Sequence, residues 1–407
     1  MQALRCLLDS INNVATSEPS LEVAITMARP LRRTSSISFI LAGILAIGFL
    51  FFVFSPAPSA ASTSQERTND AAQNPLSPPT KPFLKSQPLK SDGKNAPPPV
   101  VEYNMNNVTA TGRSVEQRER ILILTPMTRF YPGYWENLVK LSYPHQYISL
   151  GFIIPKSREG NAATSALQAA IKNTQSGPIN DRFNSITILR EEFPPAINSQ
   201  DEKERHKLEN QRARREAMSR ARNSLVFTTI GPTTSWVLWL DADIVETPPT
   251  LIQDLTSHNR AIIVPNCYQR YLNPNSNKMD VRPYDFNSWV DTPRSLEIAK
   301  QMKPDELMLE GYGERPTYRN LMAHMADLSP NRDVNKLMQL DGVGGTALLV
   351  KADVHRDGAM FPPFPFYHLI ETEGFAKMAR RLGWKCFGLP NYFVSLPRWF
   401  WIESFIC

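Results

Sequence analysis

The sequence predicts an α/β fold with a mostly parallel sheet. Three observations predict it: short apolar runs suited to strands buried on both faces, helix-like stretches between them, and an acidic pair placed directly after one of those strands. The runs are ILILT from Ile121, ISLGFII from Ile148, SITIL from Ser185, WVLWL from Trp236, AIIVP from Ala261 and TALLV from Thr346. Runs with little polar alternation suit strands covered by crossover helices on both sides. Sheets of that kind bind ligands beyond the carboxyl ends of their strands.

Composition changes along the 407 residues and sets the domain organisation. Ile37 to Phe54 carries no charge and is about 18 residues long, enough to cross a bilayer as a helix. It is too long for the apolar core of a typical cleaved signal peptide. Arg29, Arg32 and Arg33 precede it, so the positive-inside rule places residues 1–36 in the cytosol and the remainder in a lumen. Met27 could also start the chain without losing the basic tail or the anchor. Residues 55–115 are rich in Pro, Ser, Ala and Asn and read as an extended, disordered stem. Within them, Asn107-Val108-Thr109 is an N-glycosylation acceptor triplet that suits a lumenal location. Residues 116–407 then form one folded domain.

The formal charge of +6 is spread among acids, which argues against nucleic acid as a partner. Four cysteines, Cys6, Cys267, Cys386 and Cys407, lack the spacing of a zinc site. In a lumen, Cys267 and Cys386 could pair or remain two buried thiols.

From about Glu202 to Val226 the chain reads as a helix, with Ala213, Ala217, Ala221 and Leu225 at i+4 spacing and Gly231-Pro232 beyond its end. Its arginines, Arg212, Arg214, Arg215, Arg220 and Arg222, have two readings. They are a solvated basic face, or one or two of them, with Arg214, Arg215 and Arg222 as candidates, reach a diphosphate.

In WVLWLDADI, strand period two puts Asp241 and Asp243 on one side at the strand's carboxyl end. Two carboxylates there can hold a hard divalent cation that bridges the phosphates of a nucleotide sugar. D-x-D alone is common in exposed turns. Here a buried strand precedes it, and Pro248-Pro249 with a predicted helix follows, which makes the metal site the better reading. A second cluster, QLDGVGGTALLV, places Asp341 before three glycines that permit close backbone approach to a ligand. Glu371 and Glu373 open a further predicted helix, where acids favoured by the helix dipole explain them as well as catalysis does. His368 reads as a packed or hydrogen-bonded histidine.

Taken together, WLDADI, REAMSRARN, DGVGGTALLVKADVHR, FPPFPF and IETEGFAKMARRLGW resemble the fungal mannan polymerase subunits of glycosyltransferase family 62, from about Arg120 to Tyr392. The resemblance implies a GT-A fold, a Rossmann-like mostly parallel sheet with flanking helices, on a single-pass type II protein of the Golgi membrane. It implies transfer of mannose from GDP-mannose to the α-1,6-linked backbone of N-linked mannan, with manganese as the usual cation and other mannan polymerase subunits as partners. Asp241 and Asp243 take the metal role. Because donor and product linkages are both α, the reaction retains configuration and needs a group near the anomeric carbon. Asp341 is the leading candidate for that group and Asp285, in RPYDFNSW, the second.

The chain departs from the family after GLPNY. The resemblance implies a strand with a histidine that completes the metal site, whereas here Phe393-Val394-Ser395-Leu396-Pro397 follows and no histidine comes after His368. The aromatic, Pro-interrupted tail is not expected to continue the preceding strand, as if a splice site had been misread or a frame shifted. A second reading therefore stands beside the enzyme: a catalytically weak or inactive subunit that supports an active partner.

Overall fold

The computed structural model describes residues 100–192, 208–273, 276–313 and 315–399. The anchor at 37–54 and residues 55–99 of the stem lie outside the described residues.

The core is one sheet in the order β3-β2-β1-β4-β10-β5-β11-β9, with β6 paired to β5. Its strands are β1 (Arg120–Pro126), β2 (Ile148–Pro155), β3 (Ser185–Glu191), β4 (Thr234–Leu240), β5 (Ile262–Asn273), β6 (Lys278–Pro283), β9 (Met338–Leu340), β10 (Ala347–Lys351) and β11 (Cys386–Trp399). A separate two-stranded pair joins β7 (Trp289–Val290) to β8 (Asn320–Leu321). All six apolar runs are strands. The sheet has two parallel blocks, β3-β2-β1-β4 and β5-β11. Antiparallel β10, the run from Thr346, joins the blocks, and antiparallel β9 closes the edge.

Two apolar layers sandwich this sheet, and β4 shows how sequence period two feeds both. Trp236, Leu238 and Leu240 enter one cluster, while Val237 and Trp239 enter the other. Every residue of β4 is buried, as its unbroken apolar run requires.

The helices are α1 (Pro132–Val139), α2 (Arg158–Gln175), α3 (Leu208–Thr229), α4 (Leu251–Ser257), α5 (Pro293–Gln301), α6 (Ala352–Arg356) and α7 (Glu371–Arg381). Local chemistry sets several starts. Ser157 accepts from Gly160 N at α2, and Thr292 and Ser295 form a reciprocal capping box at α5 with Pro293 in its first turn. α3 is the predicted basic helix, but its buried stripe is not the alanine series. Ala213 is exposed, and Gln211, Arg215, Ser219 and Arg222 face inward, ahead of Ala221, Leu225 and Val226.

One open alternative is decided and one expectation is corrected. Cys267 and Cys386 are two buried free thiols, the second of the two readings. Cys386 pairs with Ile262 in register, five positions before Cys267 on β5, or about 17 Å along a strand, so no bridge spans them. The chain after GLPNY does continue its strand: β11 runs on to Trp399, with Phe393, Val394, Ser395 and Leu396 paired to Asn266, Cys267, Tyr268 and Gln269. Those strand positions are supplied by the hydrogen-bonding edge of β5, which outweighs the Pro397 interruption.

The folded part also takes in the last residues assigned to the stem. The buried Glu119 carboxylate accepts from Thr109 Oγ1, Thr111 N and Trp236 Nε1. Ser114 shares a hydrogen bond with Thr256 on α4.

Candidate active site

β4 ends at Leu240 beside β1, where the connections from the first three strands reverse direction, the position at which open α/β sheets leave a crevice. Asp241 to Ile244 form a turn closed by Ile244 N donating to Asp241 O at 3.0 Å. Burial still alternates through it. Ala242 and Ile244 plug the apolar layer, and Asp241 and Asp243 face the opening. The expected one-sided pair is therefore present, although it sits in a turn rather than in an extended strand.

Arg222 Nη2 donates to Asp241 Oδ1 at 3.0 Å, and its Nε donates to Glu371 Oε1 at 3.3 Å. The arginine is 3% exposed. Its Nη1 is buried without an acceptor, and the guanidinium carbon lies 5.3 Å from the Trp239 ring centroid and 5.6 Å from that of Phe361. Burial pushes the Asp241 carboxyl up to about 7, Arg222 opposes the rise, and Asp243 and Glu371 add to it. The Asp241 side chain keeps 32% of its surface open, so solvent tempers the effect.

Asp285 joins the same group. Its Oδ2 accepts from Thr346 Oγ1 at 2.8 Å, and Thr346 O accepts from Asp241 N at 2.9 Å. A Cβ on Gly344 would lie 1.8 Å from Asp285 Oδ2, so the glycine lets β10's entry loop pass the carboxylate. Burial raises the Cys267 thiol, and the fields of Asp285, Asp243 and Asp241 add to the rise.

Asp341 is placed elsewhere. It follows Leu340, which is level with Cys386, Ile262, Val350 and Val237, at least about 13 Å below Asp241 along the strands. Its carboxylate pairs with Arg380 and accepts from Asp291 N at 2.8 Å. The glycine-rich sequence suggested a ligand loop, but the chain uses it to climb from the foot of β9 to the head of β10.

The two readings of the arginine face divide by residue. Arg212 and Arg220 are exposed, and Arg214 is half-buried beside Gln211. Arg215 and Arg222 are buried ion-pair partners of α7. Arg215 Nη1 donates to Glu373 Oε2 at 2.6 Å, and Glu373 Oε1 accepts from Trp289 Nε1 at 2.8 Å. Neither glutamate caps its helix, since Ile370 precedes them without a side-chain cap. Glu371 has φ +55, and Tyr367 and His368 are also left-handed. This backbone strain beside the acidic cluster is of the kind stored at ligand sites. His368 Nδ1 meets Glu306 O at 3.1 Å, a packed histidine as expected.

Asn287 escaped the sequence reasoning as a member of this site, whereas Glu371 was weighed there against a helix-dipole role. The spacing of Arg215 and Arg222, two helical turns apart, was the available signal that α3 has a charged inner face needing acidic partners.

Two carboxylates suit a hard cation, because magnesium-like ions commonly complete one or two protein carboxylates with substrate phosphates and water. Among the described residues, no group of three or more His, Cys, Asp or Glu side chains converges to hold a metal. Further positions in the shell would fall to the phosphates and water.

The Anp1 family profile matches residues 99–365. The chain is 55% identical over 295 residues to the mannan polymerase complex subunit MNN9 of Candida albicans, covering 72% of this chain and 79% of that protein. It is 52% identical over 292 residues to the mannan polymerase complex subunit mnn9 of Schizosaccharomyces pombe, covering 72% and 84%. Among solved structures, mannosyltransferase PcManGT from Pyrobaculum calidifontis, in complex with GDP-Man and Mn2+, aligns over 71% of this chain and 59% of that one. The TM-score is 0.37 and the identity 12%. The profile spans most of the folded domain, and both fungal relatives match over 72% of the chain: the chain belongs to the Anp1 family.

Proposed function

We propose that this chain is a mannosyltransferase that moves mannose from GDP-mannose to the α-1,6-linked backbone of N-linked mannan, with retention, as a subunit of a mannan polymerase anchored in the Golgi membrane. The observation that carries the reading is the convergence of Asp241, Asp243, Asp285, Glu371 and Arg222 at the carboxyl end of β4. Family membership and the printed names of the relatives supply the substrate class.

Asp241 and Asp243 would hold a divalent cation, manganese in this reading, which when bound neutralises the diphosphate of the leaving nucleotide. Arg222 holds Asp241 and Glu371 in place and balances their charge. Asp285, fixed by Thr346 and Asn287, is the carboxylate placed to stabilise positive charge at the anomeric carbon, and it takes over that role from Asp341. Arg215 works through Glu373 and Asn287 rather than on phosphate, which leaves half-buried Arg214 as the remaining one of the three candidates to meet the donor.

The test is a donor panel on the full-length protein with an α-mannose oligosaccharide acceptor. The reading expects product from GDP-mannose alone, with a new α-1,6 linkage by NMR. Product from another nucleotide sugar, or another linkage, would overturn the substrate assignment. One observation favours the supporting-subunit reading: Ser395 N and O bond to the backbone at Glu246 and Val245, directly after the acidic turn, so β11 reaches the site without bringing a histidine. Retained partner binding with no turnover would select it.

A further inference from the structure

We propose that Asn287 is a positioning residue for Asp285, set by Arg215 and, through it, by the buried Glu373; the proposal rests on Asp285 serving the transfer reaction. Asn287 N and Nδ2 both donate to Asp285 Oδ1, at 2.9 and 3.1 Å. Its Oδ1 accepts from Arg215 Nη2 at 3.0 Å. The amide has only one workable orientation, because a guanidinium can only donate and a carboxylate can only accept. Arg215 thus selects the face on which Asn287 presents its NH2 to Asp285.

Arg215 is itself constrained. It is 7% exposed, and its other terminal nitrogen is committed to Glu373, a fully buried carboxylate whose second oxygen takes Trp289 Nε1. The 285–289 segment is therefore clamped twice from α7, once through Arg215 and Asn287 and once through Trp289. Between those clamps Ser288 Oγ accepts from Gly344 N at 3.0 Å. With Thr346 Oγ1 on Oδ2, three donors fix the Asp285 carboxylate in two directions. A carboxylate meant only to satisfy Thr346 needs no such support. One that must face a reacting carbon does, since misplacement by about 1 Å can cost about 100-fold in rate.

Two variants of the full-length protein separate positioning from structure. Asn287→Ala removes both side-chain bonds. Asn287→Asp keeps an acceptor for Arg215 but loses the Nδ2 donor and sets a like charge beside Asp285. Positioning predicts that both lower kcat for transfer from GDP-mannose by about 10- to 100-fold, with KM for the donor within about threefold and Asn287→Asp no less heat-stable than Asn287→Ala. A merely structural role predicts that Asn287→Asp restores wild-type kcat, and that result would overturn the proposal. Absence of transfer by the wild type would instead defeat the proposed activity, and a crystal structure of Asn287→Ala then decides. The Asp285 carboxylate should turn away from its present place against Gly344, and an unmoved carboxylate rejects the assignment.

Discussion

Arg222 is the residue on which the acidic cluster depends, because it is the buried positive charge that touches both Asp241 and Glu371. Arg222→Met strands those carboxylates, and we expect folding stability to fall by about 3–5 kcal/mol in urea titrations. Asp241 also makes the site pH-dependent. Its carboxyl rises from 3.8 when unfolded to about 7 when folded, so between these values the folded chain keeps a proton that the unfolded chain has released. Raising pH through that window lowers stability, and manganese, which competes with the proton, should bind more tightly up to about pH 7 and release a proton measurable by calorimetry in two buffers. His355 has the opposite slope. Burial lowers it from 6.5 to about 4, so protonation costs stability as pH falls through that range. The Asp241 contribution is therefore read as the difference between the wild type and Asp241→Asn. Asp341→Asn, in contrast, loosens a half-exposed pair with Arg380, and turnover should stay within about threefold while stability drops by about 1 kcal/mol.

At the scale of elements, the sequence made strands easier to read than helix faces. Trp236 to Leu240 is apolar throughout and could only be a strand covered twice. The alanine spacing on α3 marks the buried face only toward the helix end, at Ala221 and Leu225, because the inward face before them is polar and meets Glu371 and Glu373 across the interface. Period and propensity report hydrophobic burial, whereas a buried polar stripe is specified by partners about 150 residues away in the chain, as Arg222 and Glu371 are. The same limit explains Asp341 and Asp285. Glycines marked a close approach correctly, but only the climb from β9 to β10 shows which carboxylate is approached. Gly344→Ala tests that approach: its methyl must displace Asp285, and we expect a stability loss of about 1–3 kcal/mol with a larger proportional loss of transfer than of GDP binding.

For the molecule as a whole, the α/β class, the six apolar strands and the acidic turn at a strand's carboxyl end were legible from residue patterns, while the short or polar strands β6 to β9 were not. The antiparallel insertion of β10 was not, since an apolar strand looks the same in either direction and its pairing is set by the route of the chain before it. Nor was the continuation of β11, which depends on the long edge offered by β5. These two strands bring Thr346 and Ser395 to the flanks of Asp241 and Asp243, so the sheet's mixed topology is what assembles the site.

Whether this acidic turn holds the cation that makes sugar transfer possible is read most directly from GDP release from GDP-mannose by the full-length protein with an α-mannose acceptor, with and without manganese, beside the Asp241→Asn/Asp243→Asn double variant. Release should depend on manganese and fall by about 100-fold or more in a variant that remains folded. Equal release by the double variant, or release indifferent to manganese, would contradict that role of the turn.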